Sequence, residues 1–150
     1  MARQLTEQDG RLALQDHIRE KASAARTRHG PAIEGAGIMR VLDDRETVRY
    51  PVGIRFDATA LQPGEFAHAQ PLGEHPREGF CLFIHPVFEQ RPDVWPLLIA
   101  YHIAPINYGD IAGPAECELF GATLLGLDVE GYYEALCALT DSLSQRSWTE

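Results

Sequence analysis

The run GFCLFIHP, Gly79 to Pro86, constrains the fold of this chain more than any other stretch. Phe80, Cys81, Leu82, Phe83 and Ile84 follow one another without a polar residue, so alternate positions cannot be given to water. Such a run reads as a central strand with both faces covered. The rest of the chain must supply the cover and the neighbouring strands.

The segment before it alternates. In ETVRYPVGIRFD, Val48, Tyr50, Val52, Ile54 and Phe56 point one way, while Arg49, Gly53, Arg55 and Asp57 point the other. That is a half-buried strand. Pro51 lacks an N–H and falls on the polar side, which suits an edge strand. A turn at Pro63-Gly64 leads into a short strand over Glu65–Gln70, and PLGEHPREG reads as a turn-rich connector.

Elsewhere the period is helical. Thr6 and Asp9 have the spacing of a capping box, and Leu14, Ile18, Ala22 and Ala25 form one stripe ended by Gly30 and Pro31. Ile38, Val41 and Leu42 share a face of a second, short helix in PAIEGAGIMRVLDD, which Gly35 and Gly37 oppose by about 1 kcal/mol each. After the central strand, Asp93 is placed to cap VWPLLIAYHIA, with Pro96 in its first turn and Pro105 ending or kinking it. GPAECELFGATLLG starts at Pro114 and stops at Gly126. Asp128 caps the last helix, whose stripe is Tyr132, Leu136, Leu139 and Leu143, and residues 146–150 are expected to fray. The order is N-terminal helices, a small three-stranded sheet, then three C-terminal helices packed on one face. It predicts an α+β fold as a single domain over residues 1–150.

Charge narrows the partners. The net charge is −9, and residues 61–150 carry 3 basic against 13 acidic residues. An acidic surface repels phosphate backbones, so nucleic acid is not an expected partner. No stretch approaches a membrane span, and the N-terminus lacks an apolar leader, which places the chain in the cytoplasm with no membrane partner. Cys81, Cys117 and Cys137 are an odd number at wide spacing without a CxxC, and they read as reduced thiols.

Known chemistry motifs are missing. There is no GxSxG, GxGxxG or Walker A sequence. Cys117 near a helix start is opposed as a nucleophile by Glu116 and Glu118. These two glutamates, at i and i+2, point about 200° apart on a helix and cannot act as an acid–base pair, so they read as first-turn acids favoured by the helix dipole.

The stretch CLFIHPVFEQRPDVWPLLIAYHIAPINYG, followed by ECELFGATLLGL, resembles the strand, turn and active-site helix of small zincin-like metallopeptidases. Ala100 and Gly109 match the flanks of that family's A-H-E-x-G-H-x-x-x-G motif. Its two histidine ligands and the glutamate between them would fall on Tyr101, Pro105 and His102. An HExxH helix grips zinc because i and i+4 share a face, and its glutamate activates the water. Here all three functional letters have changed. The resemblance therefore implies a catalytically silent zincin-like scaffold without a cofactor.

Such a domain would act through contacts with a protein or a small molecule. The candidate pocket is Tyr101, His102, Asn107, Tyr108, Asp110 and Glu116, around the segment YHIAPINYGD. The alternative is a metal-dependent hydrolase with zinc held by His85, His102 and Glu116. Trp95 and Trp148 are candidate interface anchors for a protein partner or a homo-oligomer, and the acidic half favours a neutral or basic partner surface.

Overall fold

Period-two alternation and the apolar run together build the sheet. The computed structural model describes residues 6–149, with side chains described as far as Leu143. The strands are β1 (Val52–Phe56), β2 (Ala67–Pro71) and β3 (Phe80–Ile84), and the helices are α1 (Glu7–His29), α2 (Gly35–Asp43), α3 (Trp95–Tyr108), α4 (Pro114–Leu125) and α5 (Val129–Thr149). The fold is α+β, as the order of periods predicts, with the C-terminal helices packed together.

Strand β3 is central. It pairs parallel to β1, with Ile54 opposite Leu82, and antiparallel to β2, with Ala69 opposite Leu82. Strand β1 is an edge, as Pro51 requires, and the Pro51 carbonyl still accepts from the Phe80 amide at 2.9 Å. Leu82 and Ile84 are fully buried in the main core. The opposite face departs from the expectation of full cover. Phe83 is only half-buried, lies outside the main core and has Arg55 and His68 beside it in register. Helices gathered on one side of a mixed sheet leave its other side to its own side chains and water.

The N-terminal helices form as read. Thr6 and Asp9 exchange both capping-box hydrogen bonds, and Ile18, Ala22 and Ala25 are completely buried. Helix α2 keeps Gly35 for a packing reason. A Cβ there would lie 2.9 Å from the Pro92 carbonyl oxygen, so the missing side chain lets α2 approach the start of α3. Arg28, His29 and Thr47 converge on the Asp44 carboxylate and tie the end of α1 to the segment leaving α2. Burial would raise the pKa of Asp44, but these hydrogen bonds outweigh it and hold the carboxyl well below its usual range.

Two expectations for α3 are corrected. Asp93 does not cap the helix: Val94 occupies the cap position, and Asp93 instead pairs with Arg91 at 3.0 Å. Pro105 does not end the helix either. The helix continues to Tyr108, so most of YHIAPINYGD is helix rather than loop, followed by a single 3₁₀ turn at Gly109–Ile111. A proline inside a helix removes one amide donor, here the partner of the Tyr101 carbonyl. Burial of Ile103, Ala104, Ile106 and Asn107 around it offsets that loss. Each large apolar side chain sealed in this way contributes about 1.5–3 kcal/mol.

The remaining boundaries are close to expectation. Strand β2 begins two residues later than read. Gly126 closes α4 in the left-handed conformation, and the Asp128 carboxylate accepts from the Gly131 amide at 2.6 Å. Tyr132, Leu136 and Leu143 are buried along α5. The backbone of α5 is helical to Thr149, so of the segment 146–150 expected to fray only residue 150 lies outside the described backbone, while the Trp148 side chain lies outside the described side chains. Trp95 is half-buried against the core, its indole N–H donating to the Phe88 carbonyl at 2.7 Å, and it stacks obliquely on Phe56. No helix among the described residues is long and apolar enough to cross a membrane.

Candidate functional site

The six candidate residues separate into three places. Tyr101 and His102, from the middle of α3, line a half-open cleft of about 380 Å³. Its other walls are Phe66 and Ala67 at the start of β2, Glu118 of α4, and Tyr133, Leu136 and Cys137 of α5. The α5 wall follows from its stripe: Tyr132 and Leu136 face inward, and the adjacent positions Tyr133 and Cys137 then look onto the cleft rim.

Three rings meet at nearly right angles in the cleft. Phe66 and Tyr101 are 6.2 Å apart at 78°, Phe66 and His102 5.8 Å at 73°, and Tyr101 and His102 5.4 Å at 72°. Edge-to-face contact is the arrangement that aromatic quadrupoles favour. Burial lowers the pKa of His102 to about 4, with the charge of nearby His68 acting in the same direction, so the imidazole is neutral at neutral pH. Its Nε2 is shielded from solvent and has no hydrogen-bond partner among the described residues. Buried polar atoms are nearly always paired, so this orphan sets His102 apart from the other residues that line the cleft.

Tyr101 remains a phenol. Burial, and then the neighbouring Cys117 and Glu118, push its pKa up to about 12. Cys117 is likewise pushed up to about 12 by burial and by Glu116 and Glu118, so it remains a thiol rather than a nucleophile, as its two glutamate neighbours predict.

Asn107 and Tyr108 are elsewhere. Asn107 is buried, accepts from the Arg49 amide at 2.8 Å and donates to the Thr47 carbonyl at 2.7 Å. It fastens the last turn of α3 to the segment entering β1. Asn107→Ala would strand the buried Thr47 carbonyl and the part-buried Arg49 amide and is expected to cost about 2–3 kcal/mol. Urea unfolding at neutral pH measures it, and a loss below 1 kcal/mol would show that water replaces the amide. Tyr108 packs edge-on against His17 of α1, centroids 5.5 Å apart, with its hydroxyl buried.

Glu116 and Asp110 face α1. Glu116 is completely buried and accepts from Arg11 at 3.0 Å, Gln15 at 3.1 Å and the Gly113 amide at 3.0 Å. Burial would raise its pKa, but those donors outweigh it and leave the carboxyl below its usual value. Its first-turn position was legible in the sequence, whereas its partners lie about a hundred residues away and were not. Asp110 is exposed, on a surface groove shared with Arg11 and Leu12.

The alternative metal triad does not assemble. Among the described residues no group of three His, Cys, Asp or Glu side chains is placed to hold a metal ion. His85 Nδ1 accepts from the Val87 amide at 3.2 Å, capping the turn Pro86–Phe88, and both Glu116 oxygens serve α1 and the α4 start. Helical spacing could not have brought these residues together, and the tertiary structure directs them to different partners. Phe66, Tyr133 and Cys137 were missed by sequence reasoning, because each is an ordinary residue beside a turn or an apolar stripe.

Comparison with family models, curated proteins and solved structures found no match for this chain.

Proposed function

We propose that this domain is a binding module whose ligand site is the α3–α4–α5 cleft, on a scaffold that, if descended from the zincins, is catalytically silent. The carrying observation is a cleft large enough for a small molecule, walled by three aromatic rings that include the neutral His102, whose buried Nε2 has no partner among the described residues. The positions that would hold and activate zinc-bound water in a zincin are Tyr101, His102 and Pro105. Pro105 has no ligand atom, and Tyr101 keeps its proton. What the helix offers instead is a neutral, mostly apolar surface suited to contact.

Cys137 allows a direct test. It is free and only half-buried at the cleft, whereas Cys81 and Cys117 are buried with raised pKa values. Screening small molecules by thermal shift is expected to find ligands that raise Tm, since anything bound only by the folded state stabilises it. The same ligands should protect Cys137 from alkylation, and prior alkylation with a bulky maleimide should abolish the shift. Ligands that stabilise the alkylated protein equally would place binding away from this cleft and overturn the reading.

A further inference from the structure

Resting on that cleft as the binding site, we infer that its ligand is an organic cation, an ammonium group on an apolar body. The first reason is the charge of the walls. Glu65 and Glu118 are the formally charged residues lining the cleft, both negative, and neither Lys nor Arg is among them. Among the described residues, no ion pair neutralises Glu118. Its field reaches Tyr101 and Tyr133, raising the pKa of both, although it is not the leading cause at either. A carboxylate or phosphate ligand would meet repulsion here, and a cation would meet attraction.

The second reason is the rings. Phe66, Tyr101 and His102 form a corner of nearly perpendicular planes, and Tyr133, half-exposed on α5, lines the same cleft. Aromatic faces carry negative potential and hold alkylammonium groups in such enclosures. The His102 ring belongs to the same corner without opposing a cation, because it is neutral above the acidic range.

An NMR titration of the full chain with choline, its neutral isostere 3,3-dimethylbutan-1-ol, and N-acetyl-trimethyllysine amide separates the possibilities. The cations are expected to shift the amides around Tyr101, Tyr133 and Leu136 and to bind at least about tenfold more tightly than the alcohol. Glu118→Gln should remove most of that preference and leave alcohol binding unchanged. Tighter binding of the lysine derivative than of choline would assign the cation to a peptide side chain, and the reverse order to a free amine. Equal binding of alcohol and cations would overturn the cation assignment while leaving the cleft as a binding site. The absence of shifts at these residues with all three probes would also overturn it, and the Cys137 protection experiment then decides the cleft reading separately.

Discussion

Replacing Gly121 by alanine is expected to lower the free energy of unfolding by about 2–3 kcal/mol, the usual cost of forcing extra volume into a packed core. A Cβ at Gly121 would run into the ring and hydroxyl of Tyr132. Tyr132 is fully buried and cannot move aside cheaply, because its hydroxyl donates to the Leu97 carbonyl of α3 at 2.6 Å. That contact joins α3, α4 and α5 at one point, beneath the cleft. The substitution should therefore also disturb the cleft wall, because Tyr133 and Leu136 follow Tyr132 on the same helix. Urea unfolding gives the stability change. The double variant Gly121→Ala/Tyr132→Leu, which makes room for the methyl group, should recover part of it. A Gly121→Ala protein as stable as the parent would mean that α4 and α5 separate without penalty.

Lowering the pH from about 6.5 to about 4 is expected to cost on the order of 3 kcal/mol of stability through His102 alone. The sign follows from proton binding. An unfolded histidine titrates near about 6.5, and His102 in the folded protein near about 4. Between these values the unfolded chain takes up a proton that the folded chain refuses, so protonation favours unfolding. The contribution is fully present above the upper value and is lost as the pH falls toward the lower one. Denaturant titrations of the parent and of His102→Phe across this range isolate the effect. The variant is expected to lose most of the slope and, since Phe leaves no unpaired nitrogen, to be at least as stable as the parent at neutral pH. Equal slopes in the two proteins would show that the imidazole is hydrated in the folded state.

Much of the architecture was legible because it rests on local rules. The capping box at Thr6 and Asp9, the edge position imposed by Pro51, the helix stop at Gly126 and the stripe through Tyr132 and Leu136 each follow from two to five nearby residues. Pro105 was misread for the complementary reason. Its local effect is to break a helix, and only the burial of Ile103, Ala104, Ile106 and Asn107 by other elements keeps α3 intact beyond it. Asp93 had the right chemistry to cap α3, but Arg91 holds its carboxylate and Val94 takes the cap position.

The candidate site was legible only in part. Tyr101 and His102 drew attention at the positions of the zincin motif, and they do line the cleft. Asn107 drew attention in the segment after the expected helix break and Glu116 at the start of the next helix, yet their hydrogen-bonding capacity is directed to backbone and side-chain partners from distant segments. A buried polar residue at a ligand site and one at a structural joint look alike in sequence, because both are polar letters at apolar positions.

By itself the sequence determined the class of fold, the central place of the FCLFI strand and the acidic character of the second half. Periodicity and composition carry these, since they depend on neighbours along the chain. Only the tertiary structure decided that Phe66, Tyr101, His102, Glu118 and Tyr133 border one cleft and that Glu116 turns away toward Arg11. Such convergence depends on how helices cross and on which strand lies between which, and those choices are made by packing between segments far apart in the chain.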